Sequence, residues 1–266
     1  MGAAVALVSL LAGCSSTASP PPRGPVTVTA TATVTAAAPT VTVTPAPETV
    51  TAAPRPPTGS SPALDSLAAL PVKGRAPRTG YDRAMFGQAW TDDTDEAGGR
   101  NGCDTRNDVL RRDLTATTVK AGTSGCVVLT GTLTDPYTGQ MVDFVRGPNT
   151  SAAVQVDHVV ALSNAWQTGA QQLGPRDRQN FANDPMNLIT TLGSVNASKG
   201  AGDAATWLPP RKAIRCDYAA RQVAVKARHR LWVTPPERDA LQRILSGCPG
   251  QELPSGAMTQ TPPTKG

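Results

Sequence analysis

Histidine is scarce in this chain, with only two histidines among 266 residues. Zinc peptidases bind their metal through several histidines, so this scarcity argues against a metallohydrolase that acts on cell-wall material. The cysteines include no Cys-x-x-Cys pair, which argues against a four-cysteine structural zinc. Whatever chemistry the chain performs must therefore depend on few histidines and on oxygen-bearing side chains.

Long hydrophobic runs are also missing. The apolar segment of residues 1–13 is too short to span a bilayer, and no Lys or Arg precedes it. Leu11-Ala12-Gly13-Cys14, followed by two serines, is similar to a bacterial lipobox. We expect residues 1–14 to be a signal peptide with lipidation at Cys14, which places the protein on the outer side of the cell membrane or, after release, in the medium. An upstream start, or weaker export, is the alternative that the missing basic residues leave open.

Large apolar residues are nearly absent from residues 17–63, which consist mainly of Thr, Val, Ala and Pro. Such a segment has little to bury and its prolines interrupt regular structure. We expect a disordered, semi-extended linker over residues 15–72 and a disordered tail over residues 251–266. Residues 73–250 are long enough for one domain with a sizeable core.

Polar residues that suit nuclease chemistry cluster in the second half of the chain. Asp157-His158 lies among β-branched residues, which predicts the end of a strand. Met186–Thr191 predicts a second strand that contains Asn187. Ser194 is a plausible N-cap for a helix that carries Asn196 and Lys199. Strand, strand and helix then each contribute polar side chains to one site.

Hydrolysis of a phosphodiester needs an activated water and neutralisation of charge on the phosphoryl group. His158, with an ordinary pKa of about 6.5, can accept a proton from water. Asp157 and Asn196 offer hard oxygens that suit one hydrated Mg²⁺ or Mn²⁺. Lys199, about one helical turn beyond Asn196, can contact the phosphate. Taken singly these residues are more often a surface pair, a turn residue or a helix end, and only their joint occurrence favours catalysis.

The order of these residues resembles the HNH endonucleases, whose ββα-metal (His-Me) finger carries an Asp-His pair, an Asn and a helical Asn or His. The longer pattern, from Tyr81 through residues 102–107 to residues 203–210, is similar to exported actinobacterial HNH proteins related to the C-terminal nuclease domain of GmrSD restriction enzymes. The resemblance covers roughly residues 78–248. It implies that Asn187 holds the His158 imidazole in its productive orientation.

The remaining elements predict an α+β domain, with the finger at its centre and helices packed around it. Asp104 or Thr105 caps a helix, and Cys126–Leu133 pairs with Gln140–Val145 as a hairpin. Further helices are predicted over residues 161–172, 211–228 and 236–246.

Four cysteines remain besides the lipobox, and in an exported protein an even number predicts disulfides. Four cysteines allow three connectivities. We favour the short-range pairing of Cys103 with Cys126 and of Cys216 with Cys248.

Positive charge is concentrated in residues 211–243, which contain nine basic and three acidic residues. Arg211, Arg215, Lys226 and Arg230 fall on one face of an ideal helix, which would bind a phosphate backbone, contact anionic lipid or simply be solvated. His229 is expected to be an exposed residue of this basic helix. Two further arginines, in the predicted loop between the finger strands, are better placed to reach DNA: Arg176 and Arg178.

These features together predict a lipid-anchored, extracytoplasmic HNH endonuclease that uses one divalent metal ion. DNA is the expected substrate and RNA the alternative, with little base specificity because no sequence-reading module is present. No protein partner is evident. The competing hypothesis is a non-catalytic envelope lipoprotein that uses the finger as a binding scaffold, against which the intact Asp157, His158 and Asn196 argue.

Overall fold

The computed structural model describes residues 61–255, which form an α+β fold as predicted. The described residues contain seven α-helices and five β-strands: α1 (Pro62–Ala69), α2 (Thr105–Asp113), β1 (Thr115–Val119), β2 (Val128–Thr134), β3 (Met141–Val145), β4 (Val154–His158), α3 (Leu162–Gln167), α4 (Pro175–Asn183), β5 (Leu188–Leu192), α5 (Gly193–Lys199), α6 (Arg215–Arg228) and α7 (Pro235–Leu245). Short 3₁₀ helices lie at Arg83–Phe86, Ser151–Ala153, Ala170–Gln172 and Lys212–Ile214.

A three-stranded antiparallel sheet has the order β1-β2-β3. Its β2–β3 hairpin matches the prediction, with Thr134 opposite Met141 at the turn. Helix α2 covers one face, where Leu110 packs with Val128 and Phe144. The Asp104 side chain caps α2 by accepting a hydrogen bond from the Asn107 backbone N–H at 2.8 Å. Strand β1 is exposed along its whole length, and its lack of apolar alternation explains why the sequence pattern did not predict it.

A second, two-stranded antiparallel sheet carries the predicted strand-strand-helix order. Strand β4 pairs with β5 from Val154 opposite Leu192 to His158 opposite Leu188, and α5 follows β5 directly and packs on both strands. The predicted cap at Ser194 is wrong, because α5 begins at Gly193 without a side-chain cap. A Cβ atom at Gly193 would lie 2.1 Å from the Ala152 carbonyl oxygen, so only glycine allows this sharp strand-to-helix transition.

The folded region extends beyond the predicted domain boundaries at both ends. Helix α1 lies inside the predicted linker, and its Ala63 and Leu67 are buried with residues of α6 and α7. In the predicted tail, the Gln251 carbonyl accepts a hydrogen bond from the Ala63 backbone N–H at 3.1 Å, and Leu253 packs on the same core. The predicted signal peptide, Cys14 and the rest of the predicted linker lie outside the described residues.

Two later segments, residues 161–172 and 236–246, differ in detail from the helices predicted there. The segment predicted as one helix over residues 161–172 is divided at Gly169, which has a φ of +133° where the Trp232 ring passes within 3.2 Å of a Cβ position. Helix α7 begins with a capping box between Thr234 and Glu237.

Two disulfides, Cys103–Cys126 and Cys216–Cys248, have the short-range connectivity that the sequence favoured. The first joins the residue before the cap of α2 to the start of the β2 region. The second joins the first turn of α6 to the segment after α7. Within residues 61–255, no helix is long and apolar enough to cross a membrane.

Candidate active site

His158 ends β4 and is buried beside Trp90 and Ala182. Its ring stacks on the Trp90 indole, with centroids 5.5 Å apart and an interplanar angle of 18°. Its Nε2 lies 2.9 Å from the Ala182 carbonyl oxygen. Because a carbonyl only accepts, Nε2 must carry the hydrogen and donate. The neutral ring therefore has its lone pair on Nδ1, which has no hydrogen-bond partner among the described residues.

Burial sets the charge of this imidazole. Burial, with smaller contributions from the positive charges of Arg83 and Lys199, lowers the pKa of His158 to about 3 against the opposing effect of the Ala182 carbonyl. The ring is consequently neutral at physiological pH. A neutral imidazole with a free acceptor nitrogen can take a proton from water.

The His158 ring lines a pocket of about 290 Å³, which we call the His158 pocket. Arg83, Phe86, Trp90 and Leu162 form other parts of its wall. Arg83 and Trp90 were not predicted from the sequence, because they lie far earlier in the chain, in a 3₁₀ helix and a loop, and belong to no periodic pattern. Trp90 has a φ of +59°, a rare conformation for a bulky residue, and such outliers concentrate at functional sites.

Asp157 points to the opposite face of β4, since successive side chains alternate along a strand. Its Oδ1 accepts a hydrogen bond from Lys199 Nζ at 2.9 Å and its Oδ2 accepts one from the Tyr137 hydroxyl at 2.8 Å. Lys199 Nζ also donates to the His158 carbonyl oxygen at 2.7 Å. Burial raises the pKa of Asp157, while the bonds from Lys199 and Tyr137 act in the opposite direction. The structure thus brings two predicted site residues together as an internal ion pair.

The two predicted asparagines hold backbone and neighbouring side chains. Asn187 is fully buried; its Oδ1 accepts from the Val160 backbone N–H at 2.8 Å and its Nδ2 donates to the Val160 carbonyl. It therefore fixes the backbone that follows His158 rather than the imidazole itself. Asn196, on α5, donates to Gln155 Oε1 at 2.8 Å and so lies toward the Asp157 face of β4.

The two arginines predicted to reach DNA lie on α4, not in a loop. Arg176 donates to both carboxylate oxygens of Asp95, at 2.6 and 2.7 Å. Arg178 is buried and donates to the carbonyls of Met85 and Leu173. Both guanidinium groups are thus committed to internal partners, and Arg178 does not present its charge to solvent.

The predicted basic face of the helix at residues 211–230 does not exist as a stripe. Lys226 is buried and its ammonium lies 2.7 Å from Glu237 Oε1. Arg230 lies beyond the end of α6, has a φ of +56° and pairs with Asp177 at 2.9 Å. Helical periodicity predicted that these residues share one face. However, Lys226 is buried in the protein interior, and α6 ends before Arg230.

His229 is buried, which contradicts its expected exposure. Its Nε2 lies 2.8 Å from Asp184 Oδ2, and with Glu96 these residues offer three metal-ligand atoms that all lie within 4.8 Å of one another. The Arg228 guanidinium donates to Glu96 and lies 3.4 Å from Asp184 Oδ2. Burial, and then the Asp184 charge, raise the pKa of Glu96. Arg228 already neutralises the carboxylates that a cation would need.

Comparison with known proteins identifies the family. Residues 104–244, more than half of the chain, match the family described as GmrSD restriction endonucleases, C-terminal domain, and the chain belongs to this family. A protein of Arthroderma benhamiae described as "Uncharacterized secreted protein" is 35% identical over 199 residues, which cover 73% of this chain and 90% of that protein. No solved structure matches the chain.

Proposed function

We propose that this protein is an HNH-type endonuclease that hydrolyses phosphodiester bonds in DNA, and in RNA as a second substrate, with little base specificity. The neutral His158 ring, which has a free Nδ1 and lines an accessible pocket, is the observation that carries the proposal. Membership of a restriction-endonuclease domain family supports it. The β4-β5-α5 order, with Asp157, His158, Asn187, Asn196 and Lys199 in sequence, supports a His-Me finger.

The proposed reaction begins when His158 Nδ1 takes a proton from a water molecule. The resulting hydroxide oxygen bonds to phosphorus, the phosphorus–oxygen bond of the leaving strand breaks, and the leaving oxygen gains a proton from solvent. Ala182 holds the ring through Nε2, which keeps the lone pair on the reacting nitrogen. Asn187 and Lys199 fix the backbone at and just after His158, through Val160 and through the His158 carbonyl. They act as positioning residues.

The expected divalent cation requires a separate test of fit. Asp157 and Asn196 supply hard oxygens, which suit Mg²⁺ or Mn²⁺ in chemical type. However, Lys199 and Tyr137 engage both oxygens of Asp157 in a buried environment, and a cation there would lie against the Lys199 ammonium. This arrangement does not fit a metal held through Asp157, so none of the steps above passes through a metal ion.

We further propose an extracytoplasmic location, with attachment to the membrane through a lipid on Cys14. The lipobox-like sequence supports this proposal, as does the description of the Arthroderma benhamiae relative as secreted.

The test is cleavage of plasmid DNA by the purified full-length protein, with Mg²⁺, with Mn²⁺ and with EDTA. We expect His158→Ala to lower the rate by about 10² to 10⁴, as for loss of a positioned general base. His229→Gln, a change at the chain's other histidine, is the matched control and should retain cleavage. Thermal unfolding must show that both variants are folded. Parent-like cleavage by folded His158→Ala would show that His158 is not the base, and cleavage that EDTA abolishes would contradict a reaction without a divalent cation.

A further inference from the structure

Arg83 differs from the other arginines near the proposed site. Arg176 and Arg230 are paired with carboxylates and Arg178 is buried against carbonyls. Arg83 is exposed on its 3₁₀ helix, lines the His158 pocket and has no ion-pair partner among residues 61–255. An unpaired guanidinium beside a proposed catalytic base is available to bind an anion, and its planar donors match a phosphate.

The walls of the same pocket are mostly apolar. Phe86, Ala89, Trp90 and Leu162 contribute to them beside Arg83. A phosphate backbone alone makes no favourable contact with an apolar recess, whereas the faces of a nucleobase pack well against apolar and aromatic walls. The volume of about 290 Å³ lies near the lower end of small-ligand pockets.

The Trp90 ring is fixed as one wall of this recess. It stacks on the His158 ring and also packs against Val109, Val156 and Leu188. The pocket is therefore formed by rigid groups that already surround the proposed base, and a ligand in it lies within reach of the His158 ring.

We propose that the His158 pocket binds one unstacked nucleotide of the substrate, with its base against the apolar walls and its phosphate on Arg83. This inference rests on the proposed nuclease function and specifies its substrate: single-stranded or locally unpaired nucleic acid rather than continuous duplex. In a duplex, the same nucleotide must first leave its stack, which costs pairing and stacking energy.

The experiment compares cleavage of a fluorescent single-stranded oligonucleotide with cleavage of the same strand in a duplex, using the full-length protein. Ala89 is exposed at the pocket wall, so Ala89→Trp fills the pocket without entering the core; Ala84→Trp is a second filling variant. Ala68→Trp, on the exposed face of α1, is the matched control. Arg83→Gln tests the phosphate contact, and Arg238→Gln on α7 is its control.

We expect the parent to cleave the single strand about tenfold or more faster than the duplex, and each filling variant to lose about tenfold on the single strand, as for loss of one base–aromatic contact. Arg83→Gln should raise KM by about tenfold or more, as for a hydrogen bond to a charged group. Equal rates on both substrates, or unchanged cleavage by folded filling variants, would overturn the inference while the nuclease function stands. If the parent cleaves neither substrate, the proposed function fails. Fluorescence anisotropy of the same single strand then tests whether the His158 pocket binds a nucleotide. Loss of binding in Ala89→Trp supports the inference, and unchanged binding overturns it.

Discussion

Lys199 and Asp157 show how one residue pair can determine both stability and the geometry of a site. The side chains of both are almost completely removed from solvent. Each would be costly to bury alone, and their contact at 2.9 Å compensates only while both are present. The same ammonium binds the His158 carbonyl, so the pair also anchors the last residue of β4.

We therefore predict that Lys199→Met destabilises the protein by about 3 to 5 kcal/mol, because it leaves the buried Asp157 charge without its partner. The double variant Lys199→Met with Asp157→Asn should recover part of this loss, since it removes the unpaired charge. Urea unfolding of the parent and both variants measures the effect. A Lys199→Met variant as stable as the parent would contradict the assignment.

The pH dependence of cleavage is a second prediction at this scale. With its pKa lowered to about 3, His158 is neutral and competent throughout pH 5–8, so kcat/KM should show no loss centred near 6.5. Stability should behave differently. The unfolded imidazole gains a proton below about 6.5, so the contribution of neutral His158 to stability is complete above that pH and declines as the pH falls toward 3.

A kcat/KM profile from pH 4 to 8, with urea midpoints over the same range, measures both effects. A titration of kcat/KM near 6.5 would show that His158 is more solvated than this geometry allows.

The sequence predicted which strands and helix carry the candidate residues better than it predicted the contacts of those residues. Asp157 and Lys199 do meet, because strand and helix were correctly assigned. The roles of Arg176 and Arg178 were not predictable, since their partners Asp95 and Met85 lie 81 and 93 residues earlier in the chain, in a loop and a short 3₁₀ helix. No local sequence pattern marked Arg83 and Trp90, because they meet His158 only through the tertiary fold.

At the scale of elements, α1 contributes to the core of the α6–α7 region. Leu67 and Leu70 are buried there, and Val72 forms a parallel bridge with Val233. The helix begins with a Ser61 side chain that accepts a hydrogen bond from the Leu64 backbone N–H at 3.3 Å. This Ser-Pro start is an ordinary N-terminal signal, which the surrounding Thr- and Pro-rich composition concealed.

We predict that a chain beginning at Lys73 is less stable than one beginning at Ser61 by about 3 to 6 kcal/mol, the cost of exposing two buried leucines. The chain that begins at Ser61 serves as the control and should match the full-length protein. Urea unfolding of the three chains is the measurement. Equal midpoints for the two shortened chains would show that α1 is dispensable.

Local signals account for the elements that were predicted. Asp104 and the Thr234–Glu237 capping box identify helix starts, and the Asp135–Gly139 turn identifies the β2–β3 hairpin. Helix α4 was missed because it lies in a polar stretch whose only fully buried apolar side chain is Phe181. The missing signal there is tertiary, since Phe181 packs against the distant Phe86 and His229.

At the scale of the whole molecule, location and catalysis should be separable. We predict that Cys14→Ser prevents lipidation and moves the protein from the membrane fraction to the soluble fraction or medium, with cleavage by the purified protein unchanged. Residue 14 lies outside the described residues, and the site contacts given above all lie within them. Fractionation after expression in a bacterial host, followed by a nuclease assay of each fraction, is the measurement. Parent protein found in the cytosol with residues 1–13 still attached would contradict the export hypothesis.

The hydrogen bond between Ala63 and Gln251 joins the two ends of the described body. The two ends of residues 61–255 therefore lie side by side. The spatial contacts between the elements could then be kept even if the chain began at a different element. A short peptide linking residue 255 to residue 61 would complete the ring. Opening it in the exposed turn between Ala121 and Gly122 would give a circularly permuted chain with new ends on the three-stranded sheet. The Cys216–Cys248 disulfide and the β4-β5-α5 site would stay within one uninterrupted segment of that rearranged chain, whereas the Cys103–Cys126 bridge would join residues near its two new ends.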